Sequence, residues 1–359
     1  MLKTFPSIFL PLLFLFYFYS AITACTSSSV EIIETDTIPE QENFSSAFDI
    51  NKILGKGINL GNALEAPSEG EWGMVIKEEY FSLIKNAGFD SVRIPVRWSA
   101  HTGTNSPYTI DEEFLQRVHQ VVNWAVEQDL AVIINIHHFN ELMEEPSQHK
   151  QKFLSIWDQV GRSFKDYPEE IVFEILNEPH SNMTQSVWNN YLEEAVRTIR
   201  TSNPERVLMA GTAPWGGFDG LQKLELPEDD RQLIATVHYY NPFRFTHQGA
   251  EWVDDNTDSW LGTTWTGTDN QKSNVNADFD AVEQWSKDND RPVHVGEFGA
   301  YNKAPEPSRA AWTKYIRTAA EQRDFSWAYW EFGAGFGVYD RDKNQWRTPL
   351  LDALVNDDY

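Results

Sequence analysis

From Phe48 onward, short apolar runs alternate with longer amphipathic segments. That alternation marks βαβ units, because parallel strands need a crossover between them, usually a helix. Eight runs read as strands: GINLG from Gly57, SVRIPV from Ser91, AVIINIHH from Ala131, IVFEILNE from Ile171, RVLMAG from Arg206, IATVHYYN from Ile234, VHVGEFG from Val293 and SWAYWEFG from Ser326. Helix-like segments cover 110–128, 147–164, 184–202, 277–288 and 307–323, with Asp111, Ser147 and Thr184 as helix starts. Eight such repeats predict an α/β chain folded as one (β/α)8 TIM barrel over 48–359, rather than an open sheet. The stretch 243–276, holding Trp252, Trp260 and Trp265, is long for a loop, and long βα loops usually carry function.

The strand ends say more than their middles. In α/β folds ligands bind at the carboxyl ends of the strands. The run IVFEILNEPH stops at Pro179, which cannot donate to a ladder and biases Glu178 toward extended backbone. Asn177 and Glu178 are thereby presented at such an end, and the run from Pro292 likewise ends on Glu297. The other ends offer Asn59 and Asn62, Arg93, His137 and His138, Trp215, His238 and Tyr240, and Trp330. Two carboxyls facing one another among aromatics and neutral hydrogen-bonders suit cleavage of a glycosidic bond. One stays protonated to donate to the leaving oxygen; the other is ionised to attack the anomeric carbon. Asn177 can bond a sugar 2-hydroxyl, Arg93 and Tyr240 can hold Glu297 ionised, His238 can orient a carboxyl, and Trp330 can floor a sugar ring. Glu174 shares a strand face with Glu178 but lies deeper, and reads as a buried partner of Arg93 or another base. Glu331 is expected on the opposite side from Trp330. His137 and His138, as strand neighbours, are expected on opposite faces and lack a ligand spacing, so no metal is expected. Trp72, Trp98 and Trp215 read equally as core or rim and as substrate platforms, and Trp72 and Trp98 are not assigned to the site.

The net charge of −25 and pI near 4.7 repel a phosphate backbone, which argues against nucleic acid as a partner. At the start, Lys3 precedes a charge-free apolar run, Phe5 to Ile22, and then Cys25, the one cysteine of the chain. This resembles a bacterial lipoprotein signal: 1–24 would be removed, Cys25 would carry the lipid, and 25–47, polar and acidic, would be a flexible tether. The expected location is the bacterial cell envelope. Secretion after cleavage behind Ala24, which puts bulky Ile22 where a small residue is preferred, and a retained membrane helix are the alternatives. With no second cysteine there is no internal disulfide and no thiolate metal site. Oligomeric state is not indicated.

The blocks GINLGNALEAP, VRIPVRW, VIINIHH, FEILNEP, VHYYNPFRFTHQGAEW, GEFGAY and AYWEFG resemble glycoside hydrolase family 5, the cellulase family of clan A. Within it they are most similar to the thermophile endoglucanases that also act on mannan. The resemblance spans about Asn51 to Val355 and implies a (β/α)8 barrel, a retaining double displacement, no cofactor and a β-linked polysaccharide substrate. By position it makes Glu178 the acid/base and Glu297 the nucleophile, with Arg93, His137, Asn177, His238, Tyr240 and Trp330 among the shared active-site residues. Asn62, Glu65, His138, His247 and Trp252 match substrate-contacting positions of the subfamily. The implied activity is endo-hydrolysis of β-1,4-glucan with a side activity on mannan or glucomannan. Mannanase or xyloglucanase activity, or a non-catalytic glycan-binding lipoprotein, are the competing readings.

Overall fold

The computed structural model describes residues 45–356. Eight parallel strands close into a barrel in sequential order: β1 (Lys56–Asn59), β2 (Ser91–Ile94), β3 (Ala131–Asn135), β4 (Ile171–Glu174), β5 (Leu208–Ala210), β6 (Leu233–His238), β7 (Val293–Phe298) and β8 (Ser326–Tyr329). Closure occurs where β1 pairs with β8, Gly57 opposite Ala328. A Cβ on Gly57 would sit 2.6 Å from the Trp327 carbonyl oxygen, so the seam requires glycine. The described helices are α1 (Ala47–Leu54), α2 (Glu79–Asn86), α3 (Glu112–Val126), α4 (Asn140–Glu144), α5 (Pro146–Ser163), α6 (Gln185–Arg200), α7 (Phe243–Thr246), α8 (Asp269–Asn289), α9 (Glu306–Glu321) and α10 (Thr348–Val355). A two-stranded hairpin, Tyr339–Asp340 against Gln345–Trp346, follows β8.

Local signals explain most boundaries. Asp111 and Thr184 cap α3 and α6 as expected, accepting from the Phe114 and Val187 amides. The helix expected from Ser147 starts at Pro146, a residue suited to the first turn. The helix expected from Ala277 begins at Asp269, where Thr268 and Gln271 form a capping box. Its first two turns, DNQKSNVN, are polar, so no apolar period announces them. Residues 45–47, assigned to the tether by sequence, belong to the barrel: Ser45 bonds Glu169 from both its amide and its hydroxyl, and Ser46 caps α1. The expected signal, the expected lipidation site at Cys25 and the rest of the expected tether lie outside the described residues.

Two apolar clusters form. Outward strand residues such as Val92, Ile134, Phe173 and Val295 pack under the helices against Trp157, Trp188 and Trp312. The inner cluster joins Ala131, Ile133, Val172, Val207, Met209 and Ile234 to Ala47, Ile50 and Leu54 of α1. The α1 helix floors the amino end of the barrel: the Leu54 carbonyl accepts the Ser91 hydroxyl at 2.6 Å and the Gly55 carbonyl accepts the Trp327 amide at 3.0 Å. Trp98 and Trp265 are core residues.

The alternation of β7 is broken once. Its register runs Val237 with Val295 but His238 with Glu297, so Gly296 is an extra residue, a bulge. Val293 and Val295 face the helices and His294 the lumen; strict alternation would turn Glu297 outward too. The bulge resets the phase, so Phe298 packs with the outer cluster and Glu297 faces the mouth. A side chain at 296 would have its Cβ 2.7 Å from the Thr236 hydroxyl, so the bulge needs glycine.

Leu54→Ala empties part of the α1 floor and is expected to cost about 2–5 kcal/mol in unfolding free energy, read from denaturant titration. A loss under about 1 kcal/mol would mean that α1 is not a structural plug.

Candidate active site

Arg93, at the end of β2 and fully buried, organises the mouth. Its five N–H groups meet five acceptors. Nε and Nη2 hold the two Glu174 oxygens at 2.6 and 2.8 Å, Nη1 holds Asn59 and Glu297 at 2.8 Å each, and Nη2 also holds the Asn177 oxygen at 2.6 Å. Burial works against its charge, yet Glu174 and Glu297 outweigh it and raise the guanidinium above its ordinary value. Glu174 is therefore the buried partner of Arg93. Because the Asn177 oxygen is turned to Arg93, the amide presents its NH2 side away from the guanidinium.

Glu297 receives Arg93 on one oxygen and the Tyr240 hydroxyl on the other, at 2.9 Å. Burial, then Glu297, drives the Tyr240 phenol well above its usual value, so it stays a donor. His238 Nδ1 lies 2.7 Å from the half-buried Glu178 and 3.7 Å from Glu297. Burial alone would lower His238, but the two carboxylates prevail and raise it. Donor atoms of Glu178, His238 and Glu297 all fall within 4.8 Å of one another. That trio has the span of a metal site, but Arg93 shares the Glu297 carboxylate and would repel a cation there. Paired acid and nucleophile chemistry fits the arrangement better, and a carboxyl spacing near 5 Å belongs to retaining rather than inverting glycosidases.

Aromatics line the rest of the mouth. Trp330 stacks parallel to His137, centroids 5.6 Å apart, and His138 meets His137 edge-on at 4.7 Å. The two histidines are thus together rather than on opposite faces, because β3 ends at Asn135 and both lie beyond it. Burial, and after it neighbouring cations, holds His137 well below the imidazole range and His138 at about 4; burial puts His247 at about 4. All three are neutral near pH 7 and can both donate to and accept from hydroxyls. His247 stacks on Phe243 at 4.0 Å, and the exposed Trp252 sits edge-on to it at 6.4 Å. Asn62, with φ +64°, stands half-buried in the loop after β1. Sequence reasoning left open the exposed Trp215, which stacks on His180 at 3.7 Å. Trp72, which the sequence leaves out of the site, is also exposed, and its ring reaches His138.

Residues 54–335 match the family model described as cellulase, glycosyl hydrolase family 5. Endoglucanase H of Acetivibrio thermocellus is 39% identical over 316 residues, covering 86% of this chain but 33% of that protein, so the chain spans about a third of it. Endoglucanase A of Ruminococcus albus is 33% identical, covering 86% of this chain and 92% of its own length. Among solved structures, Thermotoga maritima Cel5A in complex with cellobiose is 51% identical with a TM-score of 0.85, covering 86% of this chain and all of that one. The same enzyme with mannotriose superposes equally well, at 51% identity and TM-score 0.85.

Two more carboxyls lie behind the mouth. Glu65 is buried beneath the turn after β1, where its oxygens accept the Asn62 and Ala63 amides rather than facing the cleft. Glu331 is fully buried, one oxygen accepting the Ala334 and Phe336 amides and the other unpartnered. Burial raises Glu65 to about 7 and Glu331 to about 8, each raised further by nearby carboxyls. A raised folded-state value means the native protein binds the proton more tightly than the unfolded chain. Stability is then fully present below about 4.5 and is lost as pH rises through about 8. Glu331→Gln copies the neutral form and keeps the acceptor. It is expected to melt above wild type at pH 8, with the gap vanishing near pH 4.5; an unchanged gap across that range would refute the assignment.

Proposed function

The chain belongs to glycosyl hydrolase family 5, the cellulase family, and from that footing we propose that it cleaves β-1,4-glucan internally with retention of configuration, and accepts mannan or glucomannan as a second substrate. The observation that carries this reading is the Glu178–His238–Glu297 cluster, donor atoms within 4.8 Å, at the mouth of a barrel lined by aromatics. Glu297, gripped on both oxygens, is the nucleophile. It bonds the anomeric carbon as the bond to the leaving oxygen breaks, and Glu178 gives its proton to that oxygen. His238 occupies one Glu178 oxygen, leaving the other for the transferred proton. In the second half a water gives Glu178 its proton, and the water oxygen displaces Glu297 from the sugar. Asn177 meets the 2-hydroxyl of the reacting ring, the group at which glucose and mannose differ. The likeness to an enzyme solved with both cellobiose and mannotriose supports tolerance at that position.

Glu297→Gln is expected to lower turnover by several orders of magnitude with the fold intact. Wild type is expected to release the β-anomer first by NMR and to act on mixed-linkage glucan and glucomannan, more weakly on galactomannan. Release of the α-anomer, or a profile confined to mannans, would overturn the proposal.

The same reading includes export and a lipid anchor at Cys25 in the bacterial envelope, supported by Lys3, the apolar run to Ile22 and the cysteine itself. Cys25→Ala is expected to abolish fatty-acid labelling and shift the protein from the membrane to the soluble fraction. Unlabelled wild type in the medium would favour simple secretion.

A further inference from the structure

The loop between β1 and α2 is built to hold one tryptophan. Gly70 and Gly73, at φ +91° and +81°, turn the chain on either side of Trp72. The loop closes on itself through Gly70 to Met74 at 3.0 Å, Gly73 to Gly70 at 2.9 Å and Glu71 to Ser68 at 3.1 Å, each amide to carbonyl. Arg117 grips Glu69 at 2.9 Å through two nitrogens. From the hairpin after β8, Arg341 donates at 2.7 Å to both the Gly73 and Gly333 carbonyls. Two arginines thus fix a loop whose tip ring is 41% exposed and meets the His138 ring edge-on at 5.6 Å. A large apolar side chain left uncovered beside a cleft, on a loop whose backbone is pinned, marks a contact surface.

That ring is joined to the active site through a chain of ring contacts. Trp330, His137, His138 and Trp72 form an unbroken row, with centroid steps of 5.6, 4.7 and 5.6 Å from the reacting centre to the rim. Its direction follows from the chemistry. Glu178 delivers its proton to the leaving oxygen, so the departing part of the chain runs past β4 and β5, where Trp215 stacks on His180. In a closed ring of eight, β1 stands across from β5. The part bonded to Glu297 therefore leaves toward the β1 loop.

Resting on the function proposed above, we propose that Trp72 is a distal sugar-binding platform for the glycone end of a β-1,4-linked chain, with Arg341 as its positioning residue. The platform adds affinity to long chains and leaves the chemical step alone. The test uses the Glu297→Gln protein, which binds without turnover, and calorimetry with β-1,4-gluco-oligosaccharides of three and six units. Trp72→Ala is expected to weaken six-unit binding about five- to tenfold more than three-unit binding, the scale of one aromatic contact. Arg341→Ala is expected to reproduce part of that length-selective loss. Equal losses at both lengths, or none, would overturn the proposal. The wild-type assay on glucan and mannan stands apart: no hydrolysis there would remove the parent function and this platform with it.

Discussion

A guanidinium without water is stable where each of its protons has an acceptor and its charge is matched. Arg93 meets both conditions, and the mouth of the barrel is the set of residues that lets it do so. Asn59 comes from β1, Glu174 from β4, Asn177 from just beyond it and Glu297 from β7. The position of Glu297 and the orientation of the Asn177 amide are therefore one problem with one solution. Neither group can shift without stranding a proton or a charge in the interior. Glu174, which touches nothing in the cleft, matters as counter-charge.

Around this charged centre the walls are neutral. The overall charge of −25 does not reach the cleft as a carboxylate lining, because the buried acids there are paired, or pushed toward the protonated form as at Glu65 and Glu331. The imidazoles of His137, His138 and His247 are kept uncharged by the burial that makes them part of the wall. An uncharged hydroxyl-rich ligand finds donors, acceptors and ring faces along these walls.

Much of this was legible in the sequence because its causes are local. Apolar runs buried on both faces, the caps Asp111 and Thr184, and strand-end residues ahead of Pro179 declare themselves within a few positions. The depth of Glu174 followed from counting along β4. What was hidden depends on partners distant in sequence. His137 and His138 were put on opposite faces on the assumption that β3 extends to them, and the strand stops at Asn135 because pairing stops there. Glu65 was carried over as a substrate contact, yet its oxygens are engaged by its own turn. The first turns of α8 carry no apolar period and are set by a cap. Gly296 was visible in GEFG as a glycine inside a strand, which is a bulge signal, but its effect on Glu297 appears only against the register of β6.

The bulge in β7 bears on how this wall of the mouth arises and how it is lost. A parallel barrel in strict alternation assigns each residue to lumen or shell by parity, so β7 as a regular strand would lodge Phe298 in the lumen and bury Glu297 among the helices. One inserted glycine reverses the parity of everything after it. Deleting a single codon there would leave composition and hydrophobic content nearly unchanged, and would turn Glu297 away from the mouth through a change of phase.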